Sequence, residues 1–485
     1  MPPRSAPFVR VRTSAVTRGL LAIFTAGALA VPAPAIAQSR VQAPDSLTDS
    51  EFWKFFTTMS EPDGYFLSEN FVSNEVSFQE VIPTLQRSLT RNGVYLGVGP
   101  EQNFTYIANL GPRMAVIFDI RRQNAMQHLM YKALFEISPT RAEFVSRLFS
   151  RPSLARLGRE IGAKALFDSA SAALPNDSAY KANLSAIVEL LTRTHRFALP
   201  KDDIASIEHV YGVFFAAGPE VNYGYRSGSP PYMRSTYPSF GMLQAATNAD
   251  SVQMAFLATE ANYQSVRRLQ LRNLIVPVVA DFGGPSAIRA VGKWLTERTM
   301  TVTAFYVSNV EQYLFRDSDA ASRFYGNVTA LPLDTTSKFI RSVPPVAGPL
   351  TRFVPGVNGR LPAGAGISFT FIRDSMGIRT TQTTRDSAGV QITRTTVDSS
   401  GARTGSGYTM TRDSIATILQ SRRDSINRAS STWQIAGGSV TRVVMGGGLL
   451  TSGVASMQAT LKAHFAGELK SYNAIIEMTR VSGWR

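Results

Sequence analysis

A short strand, a glycine turn, a helix and a second strand follow one another in fewer than 30 residues of this sequence. Val94–Val98 is an apolar run of β-branched and aromatic residues that stops at Gly99, a pattern typical of a buried strand. A helix is predicted for Glu101–Leu110, and Met114–Ile120 has the pattern of a second buried strand. Strands joined in this way form a βαβ unit and lie parallel. The chain is therefore predicted to have an α/β fold.

The same alternation resumes much later in the chain. Leu274–Val279 is predicted as a third buried strand, Ser286–Thr296 as a helix and Val302–Val307 as a fourth strand. Pro277 would cost a central strand one hydrogen bond of its ladder. Between the two parts, from about 121 to 250, apolar residues recur at helical spacing. These patterns predict a three-layer α/β sandwich with a large helical insertion.

The core domain is predicted to span residues 38–345 and to begin with helices. Val76–Leu89 has a helical pattern that is expected to break or kink at Pro83. At the other end of the chain, Met457–Met478 is predicted as one long helix. We expect this C-terminal part, residues 451–485, to pack on the core.

Residues 346–450 differ in composition from the rest and contain a repeat. Asp-Ser-x-Gly recurs every twelve residues, beginning at Asp374, Asp386 and Asp398, with alternating stretches between the copies. Because Gly takes positive φ in tight turns, this pattern favours a β-meander. A flexible, partly disordered insertion is the alternative that its polar composition allows. In either form the segment is a C-terminal insertion, β-rich if it is ordered.

Residues 1–37 have the three parts of a secretory signal. Four arginines precede an apolar core, Gly19–Val31, which is too short to span a bilayer of about 30 Å. Ala35–Ala37 then offers small residues for cleavage before Gln38. We therefore expect an exported protein, periplasmic or extracellular, with an uncleaved membrane anchor as the alternative. No later segment is long and apolar enough to be an integral membrane segment.

Composition excludes several classes of site. The formal charge of +15 falls to +11 without the signal segment, which holds four arginines and no acidic residue. This charge is spread along the chain, and the sequence has no basic stripe interleaved with aromatic residues. Specific nucleic-acid binding is therefore not predicted. The absence of Cys excludes disulfides, thiol nucleophiles and thiolate metal sites. The four His are scattered, so no metal site is predicted.

The turn after the first strand is the motif best suited to bind a ligand. Gly97 and Gly99 let the backbone approach a ligand closely, and Pro100 and Asn103 complete the entry to the following helix. Asp119 ends the second strand, where a carboxylate can accept hydrogen bonds from a ribose. The third glycine of the dinucleotide fingerprint is missing, since Gln102 stands in its place. This departure favours a ligand without a pyrophosphate over NAD or FAD.

These residues carry a resemblance to known proteins. Tyr95–Gly99, Asp119 and the later strands resemble the nucleotide-binding half of class I S-adenosylmethionine-dependent methyltransferases, which have a Rossmann-like core. Longer strings are similar to an uncharacterised bacterial protein family without an established activity, over roughly residues 50–345 and about the last thirty residues, but not over the twelve-residue repeats. The strings are GYFLSENFVSNE (64–75), GVYLGVGPEQNFTYIA (93–108), FDIRRQN (118–124), FLATEANY (256–263), NLIVPVVADFGGPSAIRAVGKWL (273–295) and AFYVSNVEQYLF (304–315).

The resemblance implies roles for particular residues. S-adenosylmethionine would be the cofactor, with Gly97 and Gly99 at its methionine end and Asp119 at its ribose. Asp281 would lie near the adenine. The residues that would face the transferred methyl group follow the fourth strand and are Ser308, Asn309, Glu311 and Gln312. Asn309, Glu311 and Asp281 are thus the candidate catalytic residues.

Three hypotheses about function follow. The first is a methyltransferase acting on a small molecule or macromolecule, and the second is a non-catalytic envelope binding protein that retains the fold. The third is a hydrolase or isomerase that uses Asp281 and Glu311 as acid and base. The partner would be an unknown small molecule or envelope component. Outside this group, Asn74 and Glu75 are expected either to cap a helix or to line the cleft.

Overall fold

Six strands form one mixed sheet, in which five neighbouring strands are parallel. In the computed structural model, the residues described are 42–66, 68–225, 237–317, 319–343 and 451–483, with the backbone of four further strands between 367 and 435. Side chains are described as far as residue 479, outside those four strands. The predicted signal peptide lies outside the described residues.

The sheet has the order β10-β5-β4-β1-β2-β3, with only β10 antiparallel to its neighbour. Its strands are β1 (Val94–Val98), β2 (Met114–Asp119), β3 (Ile275–Val279), β4 (Val302–Ser308), β5 (Leu333–Val343) and β10 (Thr451–Ser456). The apolar runs of β1 to β4 are buried along nearly their whole length, as parallel strands covered on both faces require. The strand predictions for this part of the chain are confirmed.

Helices α1 to α13 precede β5, and α14 and α15 follow β10. They are α1 (Asp49–Met59), α2 (Ile82–Ser88), α3 (Gln102–Leu110), α4 (Arg122–Ile137), α5 (Arg141–Phe149), α6 (Ala163–Ala172), α7 (Asp177–Glu189), α8 (Lys201–Ala217), α9 (Phe240–Ala245), α10 (Glu260–Leu271), α11 (Ala287–Glu297), α12 (Val310–Leu314), α13 (Ala320–Val328), α14 (Met457–Phe465) and α15 (Tyr472–Gly483). Helices α4 to α10 therefore lie between β2 and β3. No helix among the described residues is long and apolar enough to cross a membrane.

The helices that contact the sheet form two groups. Helix α10 packs on α3 and α4, whereas α11 packs on α1 and α13, and members of both groups contact the strands. Because parallel crossovers are right-handed, helices that connect strands on the two sides of β1 lie on opposite faces of the sheet. This arrangement buries the sheet between helices and leaves the ends of its strands as the accessible edges.

Two prolines act differently from what their neighbours in sequence suggest. Pro83 does not kink a helix that begins at Val76; it lies in the first turn of α2, which begins at Ile82. A proline fits there because the first helical N–H groups have no partner inside the helix. Pro277 lies in β3, which is an edge strand of the sheet and pairs only with β2. An edge strand tolerates a proline whose nitrogen cannot donate.

The C-terminal part is not the single helix that its sequence pattern predicts. Gly467 has a φ of +75°, and the helical segment is divided there into α14 and α15. Strand β10 precedes both helices and pairs with β5, for example Val454 with Ile340. The end of the chain therefore supplies the sixth strand of the main sheet.

Four strands between β5 and β10 form a second sheet. They are β6 (Ile367–Asp374), β7 (Gly377–Arg385), β8 (Gln391–Asp398) and β9 (Ser431–Ile435), in the order β8-β7-β6-β9. β6, β7 and β8 are antiparallel neighbours. The turn residues Ser375 and Met376, and all of 386–390, lie outside the described residues, so the turn chemistry predicted for Asp-Ser-x-Gly stays a prediction.

Candidate functional site

The strands β1 to β4 end at one edge of the sheet, and most of the predicted site residues lie there. β2 and β3 lie on one side of β1, and β4 and β5 on the other, so the strand order reverses between β1 and β4. Ligands of open α/β sheets bind in the crevice at such a reversal, outside the carboxyl ends of the strands. Gly99, Asp119, Asp281 and Asn309 all lie at or just after a strand end. The fold therefore brings these four residues to a common edge.

The glycine turn after β1 has a left-handed backbone conformation at Gly99. Gly99 has a φ of +76°, in the region that residues with a side chain rarely adopt. A Cβ atom added to Gly99 would meet only Nδ2 of Asn70, at 3.6 Å. The glycine is thus required by its φ and not by a lack of space.

Asn103 holds this turn in place. Its side-chain amide donates to the carbonyl oxygens of Pro100 at 2.7 Å, Val98 at 2.9 Å and Gly99 at 3.2 Å. Its Oδ1 accepts from the hydroxyl of Tyr95 at 2.9 Å. Because Asn103 is fully buried and its polar atoms are engaged within the protein, its direct action is to position the turn.

Asp119 forms a buried ion pair with Arg121. Its Oδ1 accepts from the backbone N–H and from Nε of Arg121, both at 2.9 Å, and its Oδ2 accepts from the guanidinium at 2.8 Å. Both residues are 6% exposed. The guanidinium also donates to the carbonyl oxygens of Ser68 and Glu69. A ribose at this strand end would therefore share Asp119 with Arg121.

Asp281 lies in the loop between β3 and α11, beside a carboxylate that the sequence pattern does not predict there. Asp281 is exposed, and its Oδ1 accepts from the backbone N–H of Gly283 at 2.9 Å. Its own N–H donates to Glu61, whose carboxylate also accepts from the N–H groups of Ser286 and Ala287 at 2.8 and 2.9 Å. Free N–H groups at a helix start favour an anion. Glu61 occupies this position at α11.

Asn309 and Gln312 form a local pair after β4. The side-chain amide of Asn309 donates to Oε1 of Gln312 at 3.1 Å, and both residues are half-buried. Ser308, the last residue of β4, has a φ of +49°. A non-glycine residue in this region is strained, and such strain is concentrated at functional sites. The strand end next to Asn309 is therefore held in a conformation that its neighbours must stabilise.

Glu311 is the predicted catalytic residue most completely engaged within the protein. Its carboxylate forms a bidentate ion pair with Arg341, in which Nε donates to Oε2 at 2.6 Å and Nη2 donates to Oε1 at 2.9 Å. The hydroxyl of Tyr325 donates to Oε1 at 2.5 Å. Glu311 and Arg341 are both 1% exposed. This geometry joins α12, α13 and β5 and directs Glu311 to a structural contact.

A segment between α1 and α2 crosses the whole carboxyl edge. We call residues 60–66 and 68–77 the edge segment. It bonds to the ends of β3 and β2, with the N–H of Glu61 donating to Val279 and the N–H of Gly64 donating to Ile120, both at 2.8 Å. The carbonyl of Phe71 then accepts from Gln127 of α4 at 2.7 Å. At its far end, Ser77 accepts from the N–H of Ser452 in β10 at 2.9 Å. The edge segment therefore runs along the edge at which open α/β sheets bind ligands.

Glu75 of the edge segment reaches the reversal between β1 and β4. Its Oε1 accepts from the hydroxyls of Tyr306 at 2.5 Å and Ser308 at 2.7 Å. Its Oε2 accepts from the amide of Gln102 at 2.8 Å and the hydroxyl of Ser452 at 3.4 Å. Of the two roles that its sequence suggests, Glu75 does not cap α2, which starts at Ile82. The sequence gives no signal for the strand ends that Glu75 would contact.

Two further titratable groups are buried behind the glycine turn. Burial raises the pKa of Glu101 to about 8, although its own backbone N–H and that of Ser73 act in the opposite direction. Burial lowers the pKa of His128 to about 4, against the effect of its hydrogen bond to Gly99. That bond joins Nε2 of His128 to the carbonyl oxygen of Gly99 at 2.9 Å. Both groups are therefore uncharged near pH 7, and His128 donates to the turn.

Metal ligands do not gather in the part of the chain that the structure describes, where no three His, Asp or Glu side chains could hold an ion together.

Comparison with curated proteins gives no match to the sequence. The sequence profile of one protein family matches residues 70–198 and 235–351, together 246 of the 485 residues. Both ranges include strands of the carboxyl edge. The chain therefore belongs to the family described as domain of unknown function DUF7790.

Proposed function

We propose that this chain is an exported protein whose α/β core binds S-adenosylmethionine at the carboxyl edge and uses it as a methyltransferase. The observation that carries the proposal is the turn from Gly97 to Gly99, which lies between β1 and α3 where the strand order reverses. The order β3-β2-β1-β4-β5 is that of nucleotide-binding sheets. Strand β10 extends this sheet antiparallel beside β5.

The start of α3 supports a ligand that has no pyrophosphate. A pyrophosphate needs free N–H groups at that helix start and close approach of the backbone. Here Gln102 replaces the third glycine, and its amide donates to the Glu75 carboxylate at 2.8 Å. The negative charge of the Glu75 carboxylate at this position disfavours a diphosphate.

The proposal divides the cofactor-binding residues by the way in which they act. Gly97, Gly99 and Pro100 would contact the cofactor through their backbone, while Asn103 positions the turn through three carbonyl oxygens. Asp119 would accept from the ribose while it remains paired with Arg121. S-adenosylmethionine, when bound, supplies an activated methyl group.

The methyl acceptor would lie near the ends of β3 and β4. Asn309 offers a half-buried amide there to orient the acceptor. Asp281 is an exposed carboxylate beside the same edge and could take up the proton that the acceptor releases. Glu311 would act through Arg341, by holding α12 in position.

Calorimetric titration of the purified protein with S-adenosylmethionine tests the proposal. We expect saturable binding, with a matched rise in the temperature of unfolding. Gly99→Val is expected to abolish this binding, because its side chain cannot adopt the left-handed turn. Gly111→Val is the control, since Gly111 also has positive φ, +56°, but lies at the end of α3 away from the strand ends. Absence of both heat and thermal shift in the wild-type protein would refute the proposal.

A non-catalytic envelope binding protein is the second candidate, and the state of the acidic residues favours it. Asp119 and Glu311 are each neutralised by a buried arginine. Export favours it too, because S-adenosylmethionine is made in the cytoplasm. Incubation with methyl-labelled S-adenosylmethionine and an envelope extract distinguishes the candidates. Label transferred to an extract component indicates an enzyme, whereas bound and unreacted ligand indicates a binding protein.

Export itself has a direct test. Cell fractionation is expected to place the protein outside the cytoplasm, with Gln38 as its first residue. A protein that begins at Met1 and sediments with the inner membrane would instead support the uncleaved anchor. A soluble cytoplasmic protein would contradict both the cleaved signal and the uncleaved anchor. It would also place the protein in the compartment where S-adenosylmethionine is made.

A further inference from the structure

Glu75 is a deeply buried acidic residue that has no cationic partner in the part of the chain that the structure describes. It is 1% exposed, and none of the ion pairs among the described residues includes it. Asp119 and Glu311 are buried to a similar degree and are paired with Arg121 and Arg341. Glu101, which has no ion pair among the described residues, is uncharged near pH 7 because burial raises its pKa to about 8. Burying a charge without a partner is costly in free energy. A site that keeps such a carboxylate therefore has a reason beyond packing.

The neighbours of Glu75 are arranged for an ionised carboxylate. Four donors, from two hydroxyl groups of β4, one of β10 and the amide of Gln102, point at its two oxygens. An ionised carboxylate is acceptor-only, so it can use all four. The pKa of Tyr306 is raised well above its usual value by burial and by the negative charge of Glu75. The same charge adds to the effect of burial on the pKa of Tyr106.

This charge lies at the reversal of the strand order, where open α/β sheets bind their ligands. Tyr306 and Ser308 belong to the end of β4, and Gln102 begins α3 after β1, so Glu75 spans the reversal of the strand order. The rings of Tyr106 and Tyr306 lie beside it, with centroids 5.3 Å apart. A carboxylate together with tyrosine rings is the chemistry that recognises ammonium and sulfonium groups. The negative charge is also local, since the chain as a whole carries +15.

We infer that Glu75 selects ligands with a positive charge, an ammonium or a sulfonium group, at the reversal between β1 and β4. The inference rests on the proposed function, because it concerns the ligand of the same site. It goes beyond the proposed function because it assigns a specific role to Glu75 of the edge segment. That role is to discriminate between the charged and uncharged forms of the ligand. A methyltransferase gains from such discrimination because the charge leaves the cofactor with the methyl group.

Two probes of the same shape isolate the charge. S-adenosylmethionine carries a sulfonium, and S-adenosylhomocysteine is the uncharged thioether that remains after methyl loss. Calorimetry on the full chain at pH 7 is expected to give at least about tenfold tighter binding of the sulfonium form. Glu75→Gln should reduce this preference to less than about threefold, mainly by weakening binding of S-adenosylmethionine.

A matched control separates the local charge from the net charge of the protein. Glu80→Gln also removes one carboxylate, from a half-buried residue whose Oε2 accepts the N–H of Ala249 at 3.0 Å away from the strand ends. This variant should keep the preference of the wild-type protein. Equal affinity of the wild-type protein for the two probes would overturn the inference, even where Glu75→Gln does not fold. An unchanged preference in a folded Glu75→Gln protein would overturn it as well.

The inference and the proposed function can fail separately. Binding of both nucleosides without discrimination leaves the proposed function standing and refutes the role of Glu75. If neither nucleoside binds, the proposed function fails, and choline is used as a cation without a nucleoside. Choline binding that Glu75→Gln abolishes and Glu80→Gln does not would retain the selection for cations. Absence of choline binding would refute both.

Discussion

Gly97 and Asn103 are in such close contact that no side chain fits on the glycine. A Cβ atom on Gly97 would lie 1.8 Å from Oδ1 of Asn103 and 2.8 Å from the ring of Tyr95. The glycine before the turn is therefore required by packing, whereas Gly99 is required by its φ of +76°. One motif thus contains two glycines with different physical reasons.

The two glycines are expected to respond differently to alanine. Gly97→Ala should lower the free energy of unfolding by about 3 kcal/mol, because it displaces the buried amide that holds the turn. Gly99→Ala should cost only about 1 kcal/mol, the strain of a left-handed alanine in open space. Urea denaturation of the two variants measures both values. A larger loss for Gly99→Ala would contradict this assignment.

Glu311 and Arg341 are expected to behave as a structural pair. Glu311→Gln or Arg341→Met alone should lower the free energy of unfolding by about 3 to 5 kcal/mol, because each leaves a buried charge without its partner. The double variant Glu311→Leu with Arg341→Met should recover much of that loss, since no charge remains buried. Denaturant unfolding of the three variants measures the difference. Full stability of Glu311→Gln would show that the ion pair contributes little.

Glu101 should make the protein less stable as the pH rises. Its folded pKa of about 8 lies above the ordinary value of 4.5 for a glutamate, so the folded state binds more protons than the unfolded state between these values. The resulting stabilisation is fully present below pH 4.5 and is lost as the pH rises through about 8. The temperature of unfolding is expected to fall as the pH is raised from 5 to 8, and Glu101→Gln should make this fall smaller. An equal slope in both proteins would contradict the raised pKa.

His128 should have the opposite dependence on pH. Its folded pKa of about 4 lies below the ordinary value of 6.5 for a histidine, so the unfolded state binds more protons between these values. The stability it contributes is present above pH 6.5 and is lost as the pH falls towards 4. His128→Gln retains a donor for the carbonyl of Gly99 and should remove this acid sensitivity. The check is hydrogen exchange of the turn in the wild-type protein and in His128→Gln, measured at pH 5 and 7. If the acid sensitivity of the variant equals that of the wild-type protein, the prediction is wrong.

The elements predicted from the sequence are those with a strong local pattern. β1 to β4 are uninterrupted apolar runs, and burial on both faces of a parallel sheet requires such runs. The single C-terminal helix was predicted wrongly because Gly467 divides it and β10 precedes it. Thr451–Ser456 is a strand because β5 pairs with it. A pairing partner more than 100 residues away leaves no periodic trace in the strand itself.

The candidate site divides in the same way. The glycine turn and Asp119 were identified from the sequence because strand, turn and helix are neighbours along the chain. The sequence does not predict that Asp119 pairs with Arg121, although the two residues are close along the chain, because the direction of a side chain depends on the surrounding fold. Glu311 gives no sign in its sequence of a contact with Arg341. Hydrogen-bond partners decide whether a carboxylate is free to act, and they belong to the assembled structure.

By itself, the sequence determined the α/β class and the βαβ unit with its glycine turn, because local periodicity and the freedom of glycine act over a few residues. Only the tertiary structure decided the order of the strands, the position of the edge segment and the surroundings of Glu75. Tyr306 and Ser452 lie 231 and 377 residues from Glu75 along the chain. Hydrophobic patterns specify that a residue is buried, whereas the partners of a buried charge depend on which distant segments the packed sheet brings together.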